Sequence, residues 1–120
     1  MANIKESLAK ILQLDGAIGA CIVDSNSGMT LASGGAGVDL EVAAAGNTEV
    51  VRAKRKTMKA LNLNDGIEDI LISLGRAYHL IRPLATNEAL FVYIVLDRTR
   101  ANLAMARLQL RNIEKELVVS

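Results

Sequence analysis

Gly34-Gly35-Ala36-Gly37, followed by Asp39, sits between an alternating segment and a helical one, where a phosphate or dinucleotide loop would sit. The pattern then fails. Position 40 is Leu40 where a dinucleotide fingerprint needs its third glycine, and no Lys-Ser or Lys-Thr pair follows. Asp39 would also put a negative charge at the helix N-terminus, where a phosphate would have to dock. The segment reads as a connection. His79 has no second His and no nearby Cys in the sequence, so it cannot supply the three or four ligands of a metal site. Cys21 lies within an apolar segment and reads as a small core residue. Glu68 and Asp69 are adjacent in a segment of strand character, which puts them on opposite faces and keeps them from acting as a close carboxylate pair. Arg52, Lys54, Arg55, Lys56 and Lys59 cluster near a helix C-terminus, where the helix dipole favours cations, and read as a solvated face. There is no serine elbow and no metal-binding helix motif. The sequence therefore offers no catalytic, metal or cofactor-binding residues, and the expectation is a protein that is not an enzyme.

Composition excludes further classes. Fourteen Lys and Arg stand against thirteen Asp and Glu, so no overall field recruits nucleic acid or an anionic membrane. Aromatic residues are scarce, with no Trp, one Phe and two Tyr, and none interleaves the basic cluster to stack bases. No nucleic-acid or membrane partner is expected. A single cysteine cannot form an internal disulfide, and there is neither a basic-then-apolar leader nor an apolar run near the roughly 20 residues that span a bilayer. A cytoplasmic location is the expectation. The length suits one domain spanning residues 1–120.

The elements that would hold these side chains are organised around Ala89–Leu96, the longest apolar run. It is too short for a helix buried on all sides, so it reads as a central strand covered on both faces. After it, Asp97 is placed to cap a helix from about Arg98 to Leu117, with Leu103, Leu110 and Leu117 spaced seven apart. From the start of the chain, Asn3 and Glu6 resemble a capping pair for a helix whose Ile4, Leu8, Ile11 and Leu12 share a face. Ala17–Asp24 and Met29–Ser33 read as strands joined by a turn at Ser25–Gly28. Asp39 caps a long second helix to about Leu61. Ile67–Ser73 and Ala77–Arg82 form a second hairpin that Pro83 ends. The class is α+β: a five-stranded antiparallel sheet with helices on both faces, in the order α-β-β-α-β-β-β-α.

This pattern resembles the Roadblock/dynein light chain family over nearly the whole chain. The likeness is carried by Asp15-Gly16-Ala17, by the turn Asp24 to Gly28, and by the long small-residue helix Leu40 to Leu61. Leu96-Asp97-Arg98 leading into Asn102-Leu103-Ala104 adds to it. The resemblance implies the long helix on one face of the sheet and the terminal helices on the other. It also implies a homodimer joined through the second helix and the neighbouring edge strand. The implied role is a non-catalytic scaffold or regulator of a Ras-like small GTPase, or a motor-complex light chain. The alternative is a small-metabolite sensor, which the few polar residues at core-facing positions argue against.

Two surfaces follow as candidates. On the second helix, Ala43, Gly46, Val50 and Thr57 widen the apolar arc beyond what one sheet face needs. With Ile67, Asp69 and Leu71 of the next strand they form the expected dimer interface. On the last helix, Met105 and Leu108 fall off the leucine stripe. Either they pack against the first helix through Leu8 or Ile11, or they are an exposed partner-binding patch.

Overall fold

The structure, a computed structural model, describes residues 2–118. Its elements are α1 (Ile4–Leu12), β1 (Ala17–Asp24), β2 (Met29–Gly35), α2 (Leu40–Ala60), β3 (Ile70–Ser73), β4 (Ala77–Leu84), β5 (Asn87–Asp97) and α3 (Leu103–Glu116). The five strands form one antiparallel sheet in the order β2-β1-β5-β4-β3. The fold class and element order are those the sequence implies. β5 is central because its residues 90–96 are buried on both faces. Leu90, Val92, Ile94 and Leu96 join Leu8 and Ile11 of α1 and Ala106 and Leu110 of α3. Phe91, Tyr93 and Val95 join Ala44 and Val51 of α2.

Local chemistry sets the helix starts. The Asn3 side chain accepts from the Glu6 amide at 2.8 Å, and Glu6 reaches back to the Asn3 amide at 3.5 Å. Asp39 accepts from the amides of Glu41 and Val42, both at 3.2 Å. The last helix differs from expectation: it begins at Leu103, and its cap is Asn102, which accepts from Met105 N at 3.0 Å. Asp97 is used elsewhere. Its carboxylate accepts from the Thr99 amide at 3.0 Å and the Thr99 hydroxyl at 2.8 Å, closing a turn that delays the helix by five residues. Those bonds hold its carboxyl below the ordinary carboxylate range.

The second hairpin also departs from the pattern. β4 runs through Pro83 to Leu84, and β3 starts at Ile70 where the sequence suggested Ile67. The two differences have one cause. The register pairs Ile70 with Ile81, so extending β3 backwards would bring Glu68 opposite Pro83, which has no amide hydrogen to give a ladder. β3 ends where that partner is lost, and Pro83 pairs only with Phe91 of β5.

The two sheet faces are covered unequally. α1 and α3 pack against each other and close one face. α2 lies over β1 and β2, on the other face. Beyond it Ile70, Ile72, Ala77 and His79 remain half-buried. Among the described residues, no helix is long and apolar enough to cross a membrane.

Candidate functional site

The glycine connection is structural. Gly34 lies under α1, where an added Cβ would meet Leu12 Cδ1 at 2.7 Å, and Gly35 has φ +93° hard against Ile18 and Gly19 of β1. The amides at the start of α2 that a phosphate would need are held by Asp39. Cys21 is fully buried, and burial pushes its thiol up to about 12, far from a thiolate at neutral pH. His79 Nδ1 lies 2.9 Å from the Tyr93 hydroxyl, its ring edge-on to the tyrosine, and burial lowers its pKa. Among the described residues, no three of His, Cys, Asp and Glu come together to hold a metal.

What remains is surface, and the half-covered face is part of it. The core-facing stripe of α2 is Ala44, Thr48 and Val51, all buried. Along its flank, Ala43 and Val50 are half-buried against the core that contains Tyr93 and Val95. Gly46 and Thr57 are exposed; a Cβ on Gly46 would have nothing within 4 Å. β3, at the sheet edge, is Ile-Leu-Ile-Ser, with no charge and no proline. Apart from its shortness, such an edge carries none of the charge, proline or bulge guards against pairing with another chain.

The other expected residues are divided. Leu71 packs into the core on the α1/α3 side. Ile67 lies outside the strand, half-buried. Asp69 also faces α3, and it is in this region that the expectation of opposite faces for Glu68 and Asp69 is corrected. Because the chain is not yet a strand there, both carboxylates turn to arginines of α3. Glu68 meets Arg111 at 3.1 Å, and Asp69 meets Arg107 at 2.9 and 3.1 Å. Asp69 also takes Arg82 at 3.0 Å, and Arg82 takes Glu114 at 2.8 Å. Arg82, 4% exposed, is thus compensated by two carboxylates.

Sequence reasoning passed over this network. The available signal was an arginine alternating with Leu80 and Leu84 on the inward face of a strand, which has to meet carboxylates there. On α3, Met105 and Leu108 are each 48% exposed. Packing against α1 is the work of other residues of α3, Ala106, Leu110 and Ile113, so that reading of the pair is corrected.

A cleft of about 550 Å³ opens where β3 fails to continue along β4. It lies between the C-terminal end of α2, residues 63–68, the β4–β5 turn and Glu114. Arg55 of α2 is tied across it, donating to the Glu88 carbonyl at 2.7 Å.

No family model matches the chain, and no curated protein is similar to it in sequence. Solved structures are similar in fold. A Roadblock/LC7 domain from Streptomyces avermitilis matches 96% of this chain and 94% of its own, with TM-score 0.81 and 10% identity. MglB from Myxococcus xanthus matches 92% and 89%, with TM-score 0.78 and 16% identity. An MglB structure described by its tetrameric arrangement matches 94% and 88%, with TM-score 0.75 and 21% identity. At these identities the likeness is one of fold, and the fold is that of Roadblock domains.

Proposed function

We propose that two copies of this chain pair through α2 and the β3 edge, and that the paired molecule is a non-catalytic, cytoplasmic scaffold or regulator of a Ras-like small GTPase. The observation that carries the pairing is the unguarded β3 edge beside a sheet face that α2 covers only in part. A twofold-related copy would satisfy the open backbone of Ile70–Ser73 and cover Ile70 and Ile72 with its own α2. Gly46 and Thr57 are small enough to let the second helix come close. The family resemblance implies the same assembly, and one similar solved structure is described as MglB with a tetrameric arrangement.

The expectation of no turnover is supported by chemistry already described: a buried neutral thiol, a capped helix start, and the adjacent carboxylates Glu68 and Asp69 each held by arginines. The GTPase assignment rests on the family resemblance. Its test is calorimetry with small GTPases of the same genome, each loaded with GDP or a non-hydrolysable GTP analogue. Binding that prefers one nucleotide state supports the reading; no binding of any of them in either state removes it.

A further inference from the structure

His79 is the single histidine of the chain, and it is half-buried on the half-covered face. The strand register sets it in a row between Ile72 of β3 and Val95 of β5, on the side where Val95 joins the core under α2. It lies one strand in from the open edge. A copy that pairs with β3 and covers Ile72 would close over the ring as well.

What the ring can bond depends on its charge. A neutral ring can take the Tyr93 proton at Nδ1, 2.9 Å from the hydroxyl, which leaves the tyrosine oxygen to accept from Asn47 of α2. A protonated ring cannot, because both of its nitrogens then donate. Tyr93 must accept from Nδ1 and turn its own proton toward Asn47, whose amide has to present its oxygen. Protonation therefore lets the chain from β4 through β5 to α2 run in one direction only.

Among the described residues, no free carboxylate on this face meets the ring. β3 brings Ile70 and Ile72, and β4 brings Ala77 and Ile81. β5 brings Tyr93, Val95 and Asp97, whose carboxylate is taken by Thr99. Beside Tyr93, β1 brings Cys21, a neutral thiol. At helical spacing the near flank of α2 is Ala43, Asn47, Val50 and Lys54, with one cation and no carboxylate. A second copy presents the same flank, so it too offers a charged ring a cation and no anion.

We propose that His79 makes the pairing acid-sensitive: the ring is neutral and covered in the paired form, and its protonation separates the copies. This rests on the pairing through α2 and the β3 edge. Burial already lowers the ring's pKa within one chain, and the cover of a second copy acts in the same sense. The paired form then binds fewer protons than two separate chains. Association is at full strength above the separate chain's pKa and weakens as pH falls from there toward the paired form's lower value.

The test is a dilution series of the full chain by sedimentation equilibrium at about pH 7.5 and about pH 5, at one salt concentration, with the histidine Cε1–H signal followed by NMR over the same range. The expected result is a dimer dissociation constant at least about tenfold larger at the lower pH, since two rings contribute, and a rise that follows the ring's own titration. In His79→Gln the change should stay below about threefold. A dissociation constant unchanged at the lower pH, one that rises while the ring stays neutral, or an equal rise in His79→Gln overturns the proposal and leaves the pairing standing. The first two outcomes are read on the wild type and need no folded variant. A chain that is monomeric throughout at about pH 7.5 removes the pairing, and this proposal with it.

Discussion

The two faces of the sheet make different use of the same strands. On one, α1 and α3 close over Leu90, Val92, Ile94 and Leu96, and a chain of arginines and carboxylates seals the side near β3. On the other, a single helix lies over β1 and β2, leaving Ile70, Ile72 and His79 only half-covered. The first face is complete within one chain. The second has apolar surface and an open edge in the same place, which is the arrangement a second copy would complete. A monomer that needed nothing further would be expected to guard such an edge with a charge, a proline or a bulge.

The contrast can be broken most severely at its sealed side. Arg82→Ala would leave the nearly buried Glu114 carboxylate without its cation, while Asp69 keeps only Arg107. The loss should be about 3–5 kcal/mol, read as a fall in the denaturation midpoint. A loss below about 1 kcal/mol would mean that water compensates the site and that the face is not closed. The open side responds differently. Val50→Glu should leave the monomer folded, because Val50 is only half-buried within its own chain. It should cost several kcal/mol of association if two like charges come together at the twofold axis. A Val50→Glu protein that remained a dimer of normal stability would move the interface elsewhere.

Acid should act on the half-covered face first. Burial lowers the His79 pKa below its ordinary 6.5, so the folded chain holds the ring neutral where the unfolded chain would bind a proton. The associated stability is present above pH 6.5 and is lost as pH falls from there through the lowered value. Below about pH 4 the protonation of Asp97 adds a second loss, since its folded pKa is also depressed. Stability curves measured against pH should show the first step, and His79→Gln should flatten it. An unchanged step in that variant would assign the titration to another group. The smallest effect is expected at α3. Met105→Glu, at a position 48% exposed, should shift stability by no more than about 0.5 kcal/mol. A large fall in the melting temperature would restore the packing account of Met105.

Much of this architecture is written in local pattern. The burial of β5 follows from eight consecutive apolar residues, and the starts of α1 and α2 from Asn3 and Asp39 placed one residue ahead of their helices. What escaped depends on partners distant in sequence. Asp97 looked like a cap because nothing local shows that Thr99 would claim its carboxylate. Pro83 was expected to end its own strand; it ends its neighbour's, through a register that only the folded hairpin defines. The ion network joins residues 13 to 38 positions apart, and alternation in β3 predicted opposite faces for two carboxylates that lie outside the strand. The α2 flank was legible as an over-wide apolar arc, but its meaning depends on which strands the helix covers.

Pairing through the open face is most directly tested by multi-angle light scattering on the full chain eluting from a sizing column at about 10 μM. The proposed assembly predicts a mass twice that of the 12.8 kDa chain, falling to the single-chain value for Val50→Glu with its helical signal intact. A wild-type protein that elutes at the single-chain mass at that concentration would contradict it.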